Sequence, residues 1–122
     1  MPQIDRAYVA IALVLLTIGE LLGFYMGMRA DNTWRAVHIA IVLVGFVTLA
    51  IYGALFRLWP TMKRGVLAHV QFWLTVVGLA GVLAGGVQQM LNGGVAVLAT
   101  GSAVMIAGTL LLGWLFFERG TA

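Results

Sequence analysis

The chain has 122 residues, of which 62% are hydrophobic and only 9% are charged, and its mean hydropathy is +1.05. So few charges cannot cover the surface of a soluble domain, in which about a quarter of the residues are charged. We therefore expect an integral membrane protein, and we read the net charge of +3 as a sign of topology rather than of nucleic-acid binding. Because the chain has no cysteine, iron–sulfur clusters and covalently attached haem are excluded.

Charged residues divide the chain into long apolar segments, and about 20 residues in a helix cross the hydrocarbon core of a bilayer. The first segment is interrupted only by Glu20. The uncharged run from Gly65 to Phe117 is long enough for two helices, and Asn92-Gly93-Gly94 is the strongest turn signal within it. The four predicted transmembrane helices cover residues 7–28, 35–57, 66–90 and 95–117.

The connections between these helices are short, so each helix is expected to run antiparallel to the next. The predicted fold is all-α, a single domain over residues 1–122 that forms a bundle of four antiparallel transmembrane helices. Lys and Arg accumulate on the cytoplasmic side of membrane proteins. The side of the two termini carries Arg6, Arg57, Lys63, Arg64 and Arg119, and the other side carries Arg29 and Arg35. We therefore predict a multi-pass protein of the bacterial inner membrane with both termini in the cytoplasm.

Glycines recur at helical spacing in two of the predicted helices. They are Gly19, Gly23 and Gly27 in the first helix and Gly78, Gly81 and Gly85 in the third. In lipid, small residues at this spacing allow close backbone approach, and van der Waals contact then holds the helices together. Packing within the chain is the first expectation for both faces, and self-association into a dimer or trimer is the second.

Apart from Arg35 and Arg57 at the two ends of the second span, Glu20 is the one charged residue inside a predicted span. Helix rise places it roughly 12 Å below the outer surface, where an ionised side chain costs several kcal/mol. Glu20 is therefore a candidate proton or cation site. A neutral carboxylic acid that is hydrogen-bonded to a neighbour is the alternative.

The two histidines are predicted to lie at opposite sides of the bilayer. His38 is near the outer end of the second helix and His69 near the inner end of the third, roughly 25 Å or more apart, so one haem cannot lie between them in a single chain. His38 remains the candidate axial ligand of a haem b. Arg29 and Arg35 are placed to pair with the haem propionates.

Several motifs follow one another between Tyr25 and Gly78. They are His38-Ile39-Ala40, Gly45-Phe46, Phe56-Arg57-Leu58-Trp59-Pro60 and Gln71-Phe72-Trp73-Leu74. This series resembles subunit I of the haem–copper oxidases, and most of all its short four-helix relatives. The resemblance implies that His38 is an axial haem ligand facing the outer side. It also implies that a homotrimer could imitate the three four-helix arcs of a complete subunit I.

Two positions depart from that family's pattern: Ala40 replaces the second histidine of a pair, and Gln71 replaces the histidine before Phe-Trp-Leu. The family's copper ligands lie on helices that this chain lacks, so neither copper nor a complete oxidase is expected, and the chain is not expected to be an enzyme on its own.

Three functions remain open. One is a small membrane haem protein for electron transfer, gas binding or support of a respiratory complex. Another is a haem-free accessory or scaffold subunit, alone as a homo-oligomer or within a larger respiratory complex. The third is a proton-coupled small exporter that uses Glu20.

Overall fold

The computed structural model describes residues 3–120, which form four long helices joined by short turns. The helices are α1 (Ile4–Arg29), α2 (Arg35–Leu58), α3 (Gly65–Asn92) and α4 (Ala96–Arg119). No strand occurs among the described residues. Each helix is long and apolar enough to cross a membrane. The prediction of an all-helical chain with four long apolar helices is thus confirmed.

Some helices extend past the limits that hydropathy predicted. α1 begins at Ile4 rather than at residue 7, and α4 ends at Arg119 rather than at residue 117. Hydropathy ends a segment at its first charge, but a helical backbone continues through a charged residue whose side chain has partners. In α1 that residue is Asp5, which accepts hydrogen bonds from Arg57 at 3.2 Å and from Lys63 at 3.0 Å.

The turn between α3 and α4 falls at the predicted Asn92-Gly93-Gly94 triplet. Gly93 has a φ of 76°, a left-handed conformation that suits glycine because a side chain would be strained there. Its N–H donates to the carbonyl of Gln89 at 2.8 Å, and the N–H of Gly94 donates to Asn92 Oδ1 at 2.8 Å. These bonds end α3 and direct the chain into α4 within three residues.

The turn between α1 and α2 is closed by Asp31. Its carboxylate accepts hydrogen bonds from the hydroxyl of Thr33 at 2.6 Å and from the N–H of Thr33 at 3.0 Å. Both bonds favour the ionised form and hold the pKa of Asp31 below its ordinary value.

α2 contains a π-helical segment, Ile41–Val47, between two α-helical ends. The hydroxyl of Thr48 donates to the carbonyl of Leu43, five residues earlier, at 3.0 Å. Buried residues recur here at intervals of four, at Val37, Ile41, Gly45 and Leu49. A π turn holds more residues than an α turn. The wider turn therefore keeps this series on the face of α2 that lies inside the bundle.

α3 and α4 pack along a line of glycines that we call the glycine seam. It contains Gly78, Gly81 and Gly85 of α3 and Gly101 and Gly108 of α4. A Cβ added to Gly81 would lie 2.7 Å from the Cα of Gly101, which is too close for any side chain. Backbone therefore meets backbone along the seam, and dispersion contacts hold the two helices together.

α1 and α2 form the second close pair. Their contacts pair Gly53 with Val9, Gly45 with Leu15, Gly19 with Val42 and Gly23 with His38. Residues early in α1 thus contact residues late in α2, and the reverse. Of the three glycines singled out in α1, Gly19 and Gly23 lie in this interface, whereas an added Cβ at Gly27 would have no atom within 4 Å.

One end of the bundle, which we call the basic end, is tied together by charged and polar side chains. It carries Arg6, Arg57, Lys63, Arg64 and Arg119. Besides the Asp5 ion pairs, the hydroxyl of Thr61 donates to the carbonyl of Arg119, and the guanidinium of Arg119 donates to the carbonyl of Arg64. The opposite end, formed by the Asp31 and Gly93 turns, is called the loop end.

Candidate functional sites

Glu20 lies on the outward surface of α1, exposed, and has no ion-pair or hydrogen-bond partner within residues 3–120. α1 is also the helix that the rest of the bundle covers least. Only 11% of the residues in its most apolar stretch are buried, against 22% to 33% in the other three helices. A stripe of exposed residues at alternating intervals of three and four surrounds the carboxyl group. This Glu20 stripe consists of Thr17, Glu20, Phe24 and Gly27.

His38 lies at the loop end with its ring against α1. A Cβ added to Gly23 would lie 2.9 Å from Cε1 of the imidazole. The Nδ1 atom of His38 is buried and has no hydrogen-bond partner among the described residues. An imidazole that ligates a metal almost always donates its other N–H to an acceptor, which fixes the tautomer and the ring orientation. That acceptor is missing from the surroundings of His38.

An apolar cleft of about 620 Å³ opens between α1, α2 and α3 in the loop-end half. Val37 and Ile41 of α2 line the cleft, whereas His38 does not. The guanidinium of Arg29 lies 5.3 Å from the centre of the Tyr25 ring, another lining residue. The cleft and the imidazole therefore lie on different faces of α2. Within one chain, the residues do not fit a haem that is held by His38 in this cleft.

His69 belongs to the other half of the bundle. It is exposed, and its Nε2 accepts a hydrogen bond from the indole N–H of Trp73 at 3.1 Å. Gln71, two residues further along α3, contacts Tyr8 of α1, whereas His38 contacts Gly23. Tyr8 and Gly23 are separated by about 22 Å along α1. No shared ligand can join the two imidazoles across this distance.

A buried polar network joins three helices near the basic end. The hydroxyl of Tyr8 donates to Gln71 Oε1 at 2.6 Å. The amide of Gln71 donates to the hydroxyl of Thr75 at 3.0 Å and to the carbonyl of Gly108 at 3.1 Å. Gln71 and Thr75 are fully buried. We call these four residues the Gln71 network, and every polar atom of the Gln71 side chain has a partner in it.

The Gln71 network was not anticipated, since Gln71 entered the sequence analysis only as a departure from the oxidase pattern. The available signal was the spacing of Gln71 and Thr75, which places two polar side chains on one helix face. Tyr52 adds a fourth helix nearby, because its hydroxyl lies 2.5 Å from that of Thr109. The aromatic rings of Tyr8 and Phe72 stack at 5.0 Å beside the network.

A second groove, of about 470 Å³, lies between α1 and α2 at the basic end. Its apolar part is lined mainly by small residues, among them Ala10, Gly53 and Ala54. Arg6 and Arg57 also line it. We call it the arginine groove.

Comparison of the chain with protein-family models, with curated proteins and with solved structures gives no match. A proposal about function therefore rests on the geometry described above.

Proposed function

We propose that the chain is a haem-free subunit of the bacterial inner membrane that self-associates through α1. In this proposal the four helices span the bilayer as an antiparallel bundle with both termini in the cytoplasm. The charge difference between the basic end and the loop end supports that orientation. The resemblance to oxidase subunit I favours a respiratory complex as the larger assembly.

The exposure of Glu20 carries the proposal. An ionisable side chain inside a membrane costs several kcal/mol unless it faces protein or water, and such residues almost always face a bundle interior. Glu20 instead faces outward on the least covered helix, and no described residue satisfies it. Contact with another protein helix supplies the partner that the single chain lacks.

A second copy of the chain is the partner that fits the Glu20 stripe. The intervals of three and four between Thr17, Glu20, Phe24 and Gly27 match those of helices that pack at a shallow crossing angle. Two copies inserted in the same orientation place their Glu20 carboxyl groups at the same depth. Two neutral carboxylic acids can then hydrogen-bond to each other or to the neighbouring Thr17 hydroxyl.

Haem ligation by His38, with Arg29 and Arg35 at the propionates, stays a prediction, as does proton-coupled export through Glu20. The position of the cleft, which His38 does not line, supports the haem-free alternative. An absorption spectrum of the protein purified from its own membrane tests this part directly. A Soret band that disappears in His38→Ala would overturn it.

Site-directed crosslinking in native membranes tests self-association, because the chain has no cysteine of its own. Phe24→Cys introduces a thiol in the Glu20 stripe, and Leu110→Cys on α4 is the matched control. These two side chains are 70% and 69% exposed. We expect an oxidative dimer from Phe24→Cys and little from Leu110→Cys. Equal crosslinking at both positions, or crosslinking of Phe24→Cys to a different protein only, would contradict the proposal.

The role of Glu20 is tested by second substitutions in the Phe24→Cys background. Glu20→Gln keeps a hydrogen-bonding side chain, so the dimer is expected to persist. Glu20→Leu removes it, and a loss of about 1 kcal/mol of interhelical hydrogen bonding corresponds to roughly fivefold less dimer. An unchanged yield in Glu20→Leu would show that the carboxyl group does not contribute to the interface.

A further inference from the structure

We propose that the arginine groove binds one anionic phospholipid, with its phosphate between Arg6 and Arg57 and an acyl chain along the small residues of α1 and α2. The inference rests on the membrane insertion in the proposed function, but not on self-association. The Glu20 stripe and the arginine groove share no residue, so each can fail without the other.

The shape of the groove follows from residue size. Ala10 on α1 and Ala50 and Ala54 on α2 carry only small side chains, and a groove of about 470 Å³ remains where the two helices meet. The groove opens on the outside of the bundle, since Ala10 and Ala54 are both exposed. Its remaining apolar lining comes from Val9, Leu13 and Gly53. An extended acyl chain matches a narrow apolar channel of this kind.

The charge at the end of the groove favours an anion. Asp5 also lines it, but its Oδ2 accepts from Arg57 and its Oδ1 accepts from Lys63, so two cations face one buried carboxylate. The side chain of Arg57 remains 73% exposed. A guanidinium has five N–H donors, and the contact with Asp5 occupies one nitrogen, NH1. Arg6 adds a further positive charge beside the groove.

The other carboxylate of the basic end does not oppose this charge within the groove. Glu118 lines a separate recess together with Arg64 and Arg119. Arginine pairs with phosphate through parallel N–H donors, and basic pockets between transmembrane helices on the cytoplasmic side bind anionic headgroups. A zwitterionic lipid brings its own cation, which weakens the attraction. The geometry therefore selects an anionic lipid of the inner leaflet.

Native mass spectrometry of the full chain in a mild detergent, with phosphatidylglycerol and phosphatidylcholine as probes, tests the inference. We expect one phosphatidylglycerol to be retained preferentially. Each arginine contributes about 1 kcal/mol near an anionic surface, so Arg6→Gln is expected to weaken retention about fivefold. Arg64→Gln is the matched control, because Arg64 is at the same end but does not line the groove.

A groove-filling variant separates a lipid site from general surface charge. Ala54→Leu fills the apolar part of the arginine groove without changing any charge. We expect it to reduce retention of phosphatidylglycerol as strongly as Arg6→Gln does. Equal losses in Arg6→Gln and Arg64→Gln, an unaffected Ala54→Leu, or equal retention of phosphatidylcholine would each overturn the inference. Crosslinking of Phe24→Cys is expected to be unchanged in all three variants.

Discussion

The basic end and the loop end of this bundle are held together in different ways. Near the basic end, Tyr8, Phe56 and Gln71 are fully buried, and the polar atoms of Gln71 are all paired. Toward the loop end, His38 Nδ1 and Gln88 Oε1 are buried and have no hydrogen-bond partner within residues 3–120, and an apolar cleft of about 620 Å³ lies in the same half. The two halves thus differ in how their buried polar atoms are satisfied.

If the bundle lies in a membrane, as we propose, the difference indicates what holds it together. Lipid tails are as apolar as the helices, so burial of apolar side chains gives little drive for association. The basic half therefore relies on hydrogen bonds between helices and on ion pairs. The glycine seam runs through both halves, but it joins only α3 to α4. The following predictions measure these contributions, from the largest to the smallest.

Introducing a side chain into the glycine seam should have the largest effect on stability. Gly81→Val places a branched side chain where an added Cβ already lies 2.7 Å from Gly101 Cα, so α3 and α4 must separate. We expect the free energy of unfolding to fall by about 3 kcal/mol or more. Gly113→Val on α4 is the control, since nothing lies within 4 Å of a Cβ there. Denaturant titration in detergent, followed by tryptophan fluorescence, measures both. Similar losses in the two variants would show that helix propensity, not the seam, is responsible.

Removing the centre of the Gln71 network should have the next largest effect. Gln71→Leu leaves the hydroxyl of Tyr8 without its acceptor and removes the side-chain donor to the carbonyl of Gly108, and we expect a loss of about 2 kcal/mol. Gln88→Leu is the matched change in the loop-end half. Oε1 of Gln88 has no hydrogen-bond partner among the described residues, so stability should change little or rise. The same denaturant titration measures both variants. Equal losses of stability would show that the two halves do not differ in how hydrogen bonds stabilise them.

A smaller loss is expected when one hydroxyl is removed from the contact between α2 and α4. Tyr52→Phe deletes the bond to Thr109, and interhelical hydrogen bonds in membranes contribute about 0.6 kcal/mol on average. Tyr25→Phe, on the wall of the loop-end cleft, should be neutral. Thr109→Val tests the same bond from the other side. If Tyr52→Phe lowers stability further when Thr109 is already Val, the two hydroxyls do not act on each other.

The smallest effect is expected at His38. His38→Leu replaces an imidazole whose buried Nδ1 has no partner by an apolar side chain, so we expect a change within about 0.5 kcal/mol or a slight stabilisation. Thermal unfolding of the protein purified from its own membrane measures it. A large destabilisation would mean that the imidazole holds a ligand, and it would favour the haem prediction over the haem-free proposal.

The parts of the fold that depend on local sequence were predictable. Hydropathy located the four long helices, and the Asn92-Gly93-Gly94 triplet located the turn between α3 and α4 because only glycine readily adopts the left-handed conformation there. Arg57, the charge that ends the second predicted segment, pairs with Asp5 at the basic end. Hydropathy could not anticipate that such pairing lets a helix continue past a charged residue.

The parts that depend on which helix faces meet were not predictable. Tyr8 and Gln71 are separated by 63 residues, and nothing in either segment identifies the other as its partner. The sequence predicted Glu20 inside a transmembrane helix, but one helix alone does not reveal whether a given face turns inward or outward. His38 likewise was assigned to an outer position, while its contact with Gly23 and its unpaired Nδ1 depend on how α1 and α2 pack.

The π-helical segment Ile41–Val47 makes the spacing within α2 sensitive to chain length. If the same residues instead formed an ordinary α-helix, the part of α2 beyond the segment would rotate by about 100° relative to the part before it. Tyr52 and Phe56 would then leave the interior while Val37 and Ile41 kept their places. The segment thus keeps the two ends of α2 in phase although the helix holds one extra residue, and a homologous chain that lacks the wider turn needs one residue fewer to build the same interior.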